Sequence, residues 1–234
     1  MIFGQDNHRN WVQDKNRVFI DGTFTLAPPL FSQVFVLHAK RAGYVFPVMY
    51  ALLPKKCQET LMDYSDLSKR YGHLSIQRWV SCDFKMAVVK FIRQEFPRAE
   101  LHGCLFQLMK SMRHQLSDNV LLQRSNTEPR FALHARMIVV LRLVPIDNLD
   151  EVFDALSNQL ANELTPILNW FEDNYIGWPE RNHCRSHPAI FLPEIWSVWQ
   201  CVISDIDRPN NHAEAAHRHL KRELNVVHPQ SESS

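Results

Sequence analysis

Residues 17–53 carry three consecutive segments, RVFIDGTFTLA, FSQVFVLHA and GYVFPVMYALL, each rich in Val, Phe, Ile or Tyr and separated only by the turn signals PP and KRAG. Connections this short leave no room for a crossover, so the three segments are expected to pair as an antiparallel meander. Pro47 falls inside the third segment, and a proline cannot donate to a ladder, which puts that predicted strand at the sheet edge. The spatial order 3-2-1 follows, with the far side of predicted strand one open to a further strand. Asp21 stands in the middle of that first strand, where a carboxylate needs a reason to be.

Downstream, residues 58–72 read as a helix stopped by Gly72, IQRWVSCDF as a short fourth strand ending near Asp83, residues 85–97 as a helix, and AELHGCLFQL as a fifth strand. The pattern is βββαβαβ, and the sheet order it implies is 3-2-1-4-5. From about residue 110 the texture becomes helical. Leu149, Val152, Phe153, Leu156, Leu160 and Leu164 fall on one helical face, and a new helix is expected with Thr165 as its N-cap and Pro166 as its first helical residue. Residues 177–191 read as a loop, and the stretch around PEIWSVWQCVI leads to a last helix opened by Asn211 and Glu214. The expected fold is therefore α/β: a mixed five-stranded core over 1–116, an all-α insertion over 117–205, and a C-terminal core helix and tail over 206–234.

Composition excludes several classes. A formal net charge of +1 announces no nucleic-acid or membrane partner, so any basic surface must be local. Runs such as MIVVLRLV are far shorter than the roughly 20 residues of a membrane span, and the expectation is a soluble protein. Five scattered cysteines without a C-x-x-C pair do not form a disulfide framework, and NHCRSH lacks the paired spacing of a structural zinc site. No Gly-rich phosphate loop, G-x-S-x-G elbow or H-E-x-x-H motif occurs.

Three acids stand out by position: Asp21 in predicted strand one, Asp83 at the end of predicted strand four, and Glu214 in the first turn of the last helix. Taken singly, Asp21 before Gly22 could mark a bulge, Asp83 could cap the following helix, and Glu214 could complete a capping box with Asn211. Taken together, strands one and four are neighbours in the expected order, and the last helix could cross them. Converged carboxylates repel unless a cation sits among them, and hard oxygen donors suit Mg²⁺ or Mn²⁺. Two such ions support in-line phosphodiester displacement. On the last helix, His217, Arg218 and Lys221 share a face with Glu214, opposite Ala213, Ala216, Leu220 and Leu224. That stripe is either a solvated face or a track for a DNA backbone.

The ordered set VFIDGTFTLAP, FSQVFVLHA, PVMYALLPKKCQET, CDF, FPRAELHGCLFQ, FLPEIWSVW and RPNNHAEAAHRHL resembles the catalytic core of Mutator-like element (MULE) transposases, from near residue 15 to near residue 228. The resemblance implies a ribonuclease-H-like fold with an α-helical insertion and a DDE triad of Asp21, Asp83 and Glu214 holding two Mg²⁺ or Mn²⁺ ions. It further implies cleavage and strand transfer of DNA at transposon terminal inverted repeats, joining to target DNA, and a nuclear location. Arg208, Asn211, His217, Arg218 and Lys221 would be the DNA-binding residues. Family members commonly carry an N-terminal zinc-binding recognition domain, whereas this chain opens almost directly on its first strand, so it is expected to be a fragment, a decayed copy, or a host-recruited core for which a homodimer or partner supplies the recognition domain.

The chain also departs from the family pattern. Lys85 stands where Glu usually follows the Asp-Phe pair, and Cys104 with Gln107 replaces the usual C-x-x-H, exchanging an imidazole for an amide that takes up no proton near neutral pH. Trp196-Ser197 replaces Trp-Asn, and Arg208-Pro209-Asn210-Asn211 replaces Arg-Thr-Asn-Asn. The alternative expectation is accordingly a domesticated or decayed, non-catalytic DNA-binding protein. A third is a protein-interaction module with Trp170, Phe171, Trp178, Trp196 and Trp199 as anchors.

Overall fold

The computed structural model describes residues 2–4, 17–23, 28, 30–42, 44–53, 79–179 and 185–204. Within them the chain forms two compact units, one drawn from residues up to Asp83 together with Ala87–Glu100, the other from Phe84–Met86 and the chain from Leu101 onward.

The first unit is built on a sheet. Its strands are β1 (Ile2–Gly4), β2 (Arg17–Thr23), β3 (Gln33–Arg41), β4 (Tyr44–Leu53) and β5 (Trp79–Cys82), followed by nearly all of helix α1 (Met86–Glu95); the next strand, β6 (Glu100–Gly103), runs on into the second unit. The sheet order is β1-β4-β3-β2-β5-β6. The five strands expected from the sequence thus stand in the expected 3-2-1-4-5 order. β2, β3 and β4 form the antiparallel meander, and β5 runs parallel to β2, which makes the sheet mixed. Central β2 and β3 bury Val18, Phe19, Ile20 and the run Val34–Leu37 to 4 % exposure or less, as near-continuous apolar strands with neighbours on both sides do. Phe19 and Trp79 meet edge to face at 5.6 Å across the β2–β5 pair.

The expectation that the Pro47 strand forms the sheet edge is corrected. β1 pairs with Met49–Ala51 of β4, so the edge belongs to a three-residue strand too short to carry a periodic signal. The physical argument about proline still operates at closer range. β1 stops short of Pro47, and on the other side the β3–β4 register slips between Leu37↔Met49 and His38↔Pro47, leaving Val48 as the extra residue of a bulge.

The fifth expected strand is corrected in length. It ends at Gly103, and residues from Leu105 are already helical: Cys104 takes the extended N-cap conformation of α2 (Leu105–Asp118). The helices expected over 58–72 and at the C-terminus lie outside the described residues.

The second unit continues with α3 (Leu122–Thr127), α4 (Pro129–Val140), α5 (Leu149–Ser157) and α6 (Thr165–Phe171). The helical stripe expected over 149–164 is interrupted. α5 stops at Ser157, where Ser157 and Asn158 side chains bond back to the Asp154 carbonyl, and Leu164 joins the core from a separate 3-10 turn. Thr165 is the first residue of α6 rather than its cap, which is Leu164. α6 passes into a single π-turn, Glu172–Ile176, which Gly177 ends at φ 82°, a left-handed value that suits glycine. The stretch read as a loop contains a hairpin, β7 (Gly177–Pro179) with β8 (Arg185–Pro188), before the short helices α7 (Pro193–Trp196) and α8 (Trp199–Ile203).

Aromatic rings organise this unit. Phe171 stacks on Tyr175 at 4.9 Å, Tyr175 on Phe191 at 5.6 Å, and Phe84 meets both Tyr175 and Phe191 edge-on at 5.2 Å. Burial pushes the Tyr175 hydroxyl well above the ordinary tyrosine range, so it stays a neutral hydrogen-bonding group, with Ser111 as its partner. On the outside, the Arg124 guanidinium bridges Glu128 and Glu163 while lying 4.6 Å over the Phe131 ring, which ties α3 to α4 and to the turn before α6. Glycine is required at 103, since a Cβ there would lie 2.2 Å from Cζ of Phe84, a ring already held by two aromatic neighbours. Gly103→Ala is therefore expected to cost about 1–3 kcal/mol by overpacking. Chemical denaturation checks this, and the penalty should shrink when Phe84 is also replaced by Leu.

Candidate active site

β2 has an antiparallel neighbour on one side and a parallel neighbour on the other, and the candidate site lies where the parallel neighbour ends. The β2–β5 register runs Arg17↔Trp79, Val18↔Val80, Phe19↔Ser81 and Ile20↔Cys82. One residue further along each strand stand Asp21 and Asp83. Neighbouring strands are about 4.8 Å apart, so the backbone brings these two acids to adjacent positions at the carboxyl end of β5. β2 continues past that end through Gly22 and Thr23, still paired to β3. Strand ends of this kind are where open α/β sheets place ligands.

Two of the simpler readings of these residues do not hold. The β2–β3 ladder is unbroken from Val18↔Ala39 to Thr23↔Val34, with Asp21 opposite Val36, so Asp21 and Gly22 form no bulge. α1 begins at Met86, which makes Lys85 its capping position and leaves Asp83 two residues upstream of it. Asp83 is nevertheless only 6 % exposed. Burying a carboxylate is costly, and a second one at the adjacent backbone position raises that cost when both are ionised.

The β3 positions facing this end of β2 are apolar and buried. Val36, opposite Asp21, is fully buried and clusters with Val34, with Tyr50 and Leu52 of β4 packed against them. Burial raises the Tyr50 hydroxyl above its ordinary value, so it remains protonated at neutral pH. An oxygen-donor pair mounted on a rigid central sheet is a fitting start for a Mg²⁺ or Mn²⁺ site, since these ions take carboxylates and keep part of their water.

The remaining expected residues divide clearly. Glu214 lies outside the described residues, as do Arg208, Asn211, His217, Arg218 and Lys221. Among the described residues no group of three or more His, Cys, Asp or Glu side chains is assembled for metal binding. Lys85 is half-buried, Cys104 is buried at the start of α2, and Gln107 sits half-buried in the first turn of that helix. The aromatic residues proposed as interaction anchors divide: Phe171 is fully buried and Trp196 is 1 % exposed, while Trp170 and Trp199 are half-buried. No helix among the described residues is long and apolar enough to cross a membrane. No protein-family model matches the chain, and no curated protein matches it.

Proposed function

We propose that this chain is the core of a divalent-metal-dependent DNA-cleaving and strand-transferring enzyme of the DDE transposase type, as its resemblance to MULE transposases implies. The observation that carries this reading is the β2–β5 register, which sets Asp21 beside buried Asp83 where β5 ends. The 3-2-1-4-5 order of the mixed sheet supports the ribonuclease-H-like part of the reading. Asp21 and Asp83, with Glu214 as third ligand, would hold the ions. Bound Mg²⁺ or Mn²⁺ would supply an activated water or 3′-hydroxyl and neutralise charge on the phosphodiester. The chain's own contribution is positional: β2 and the end of β5 hold the two aspartates at adjacent backbone positions, so that little reorganisation is needed when DNA arrives. Arg208, Arg218 and Lys221 would neutralise phosphates, with Asn211 and His217 beside them. DNA ends and target DNA are the partners, in the nucleus.

A second reading, DNA binding without cleavage, rests on Lys85 two residues after Asp83 and on Gln107 in place of a proton-accepting imidazole. Supercoiled plasmid separates the two. Nicking in Mn²⁺ that stops in EDTA supports the enzyme. Salt-sensitive binding with no nicking in either metal supports the second reading, and no DNA binding at low salt removes both.

A further inference from the structure

Helices α2, α3 and α4 enclose an open cavity of about 460 Å³ within the second unit, a volume in the range of small-molecule sites. Its floor is apolar and buried, made by Met112, Leu116, Ala135 and Val139. Its α2 wall is left uncovered: Phe106 and Met109, three apart on one face, are 42 % and 41 % exposed. The rim carries Lys110 and Arg113 from α2 and Arg136 from α4, all exposed, and no acidic residue lines the cavity. Nearby acids are engaged elsewhere, Asp118 with His114 and Glu128 and Glu163 with Arg124. Among the described residues none of the three rim cations makes an ion pair.

An apolar well under three uncompensated cations has a definite complement. We propose that this cavity binds a single-chain organic anion, its aliphatic tail on the Met112–Val139 floor and its carboxylate between Arg113 and Arg136. The methionines suit a flexible tail because an unbranched thioether side chain adapts its shape, and an arginine fork presents paired donors to a carboxylate. The site is independent of the proposed DNA chemistry, since its residues belong to neither the aspartate pair nor the C-terminal helix.

The test uses the whole chain, isotope-labelled, titrated with dodecanoate below its micelle concentration and followed by amide chemical shifts. Saturable shifts confined to α2, α3 and α4 are expected. Dodecanol should bind at least about tenfold more weakly, and Arg113→Glu combined with Arg136→Glu should lose about as much without disturbing the rest of the spectrum. The proposal is overturned by dodecanol binding as tightly as dodecanoate, by charge reversal without effect, by shifts elsewhere in the chain, or by no saturation at millimolar ligand. Displacement of dodecanoate by duplex DNA at low salt would also overturn it, because the rim would then be a phosphate contact.

Discussion

Asp83→Asn is expected to reduce Mn²⁺-dependent DNA nicking by on the order of a thousandfold or more while leaving the fold intact. Asparagine keeps the shape of the side chain and removes its charge, so the β5 backbone and its pairing to β2 have no reason to change. What changes is the donor set at the end of the strand. A neutral amide beside Asp21 no longer supplies the negative charge that a hard divalent cation requires. The same substitution predicts a thermodynamic signature that needs no DNA. A wild-type chain in Mn²⁺ at a hundred times its dissociation constant gains about 2.7 kcal/mol of stability, and the variant should gain almost none. Nicking that survives in Asp83→Asn would remove this residue from the mechanism. A Mn²⁺ stabilisation that persists would place the metal elsewhere.

Trp196→Ala is expected to be the most damaging single change in the second unit, at about 3–5 kcal/mol. The indole is 1 % exposed, lies 5.5 Å from the Phe171 ring, and donates from Nε1 to the Tyr175 carbonyl at 2.7 Å. Alanine would leave a large cavity and strand a carbonyl at the end of the π-turn. Trp196→Phe separates the two effects, since it retains most of the ring volume and loses only the donor, for about 1–3 kcal/mol. Urea unfolding followed by near-ultraviolet circular dichroism measures both. A loss below about 1 kcal/mol for the alanine variant would show that the ring is not the anchor its burial indicates. Because Trp196 and Phe171 are interior, an interaction surface built on them would require the unit to open.

Much of the sheet was legible from residue order alone. Short turns between three β-rich segments forced a meander, and that determined which strands neighbour β2. The missed elements share a cause. β1 and β7 are three residues long and β8 is four, at or below the shortest alternation that marks a strand. The stretch from Cys104 to Leu108 was misread because a few apolar residues fit a strand or a helix start equally well, and tertiary packing chose the helix. The interior position of Trp196 was not legible because aromatic residues look alike whether they anchor a core or a partner.

By itself, then, the sequence determined the strand order and singled out Asp21 and Asp83, because local turn chemistry and the rarity of an acid in an apolar strand are properties of neighbouring residues. Only the tertiary structure decided that the two aspartates stand at adjacent positions, and that Asp83 is buried. Those facts follow from a parallel register between strands 62 residues apart at Arg17 and Trp79, and register is settled by which side chains pack together across a sheet. The cavity under Lys110, Arg113 and Arg136 is of the same kind, since three helices must meet before an uncovered face becomes a well.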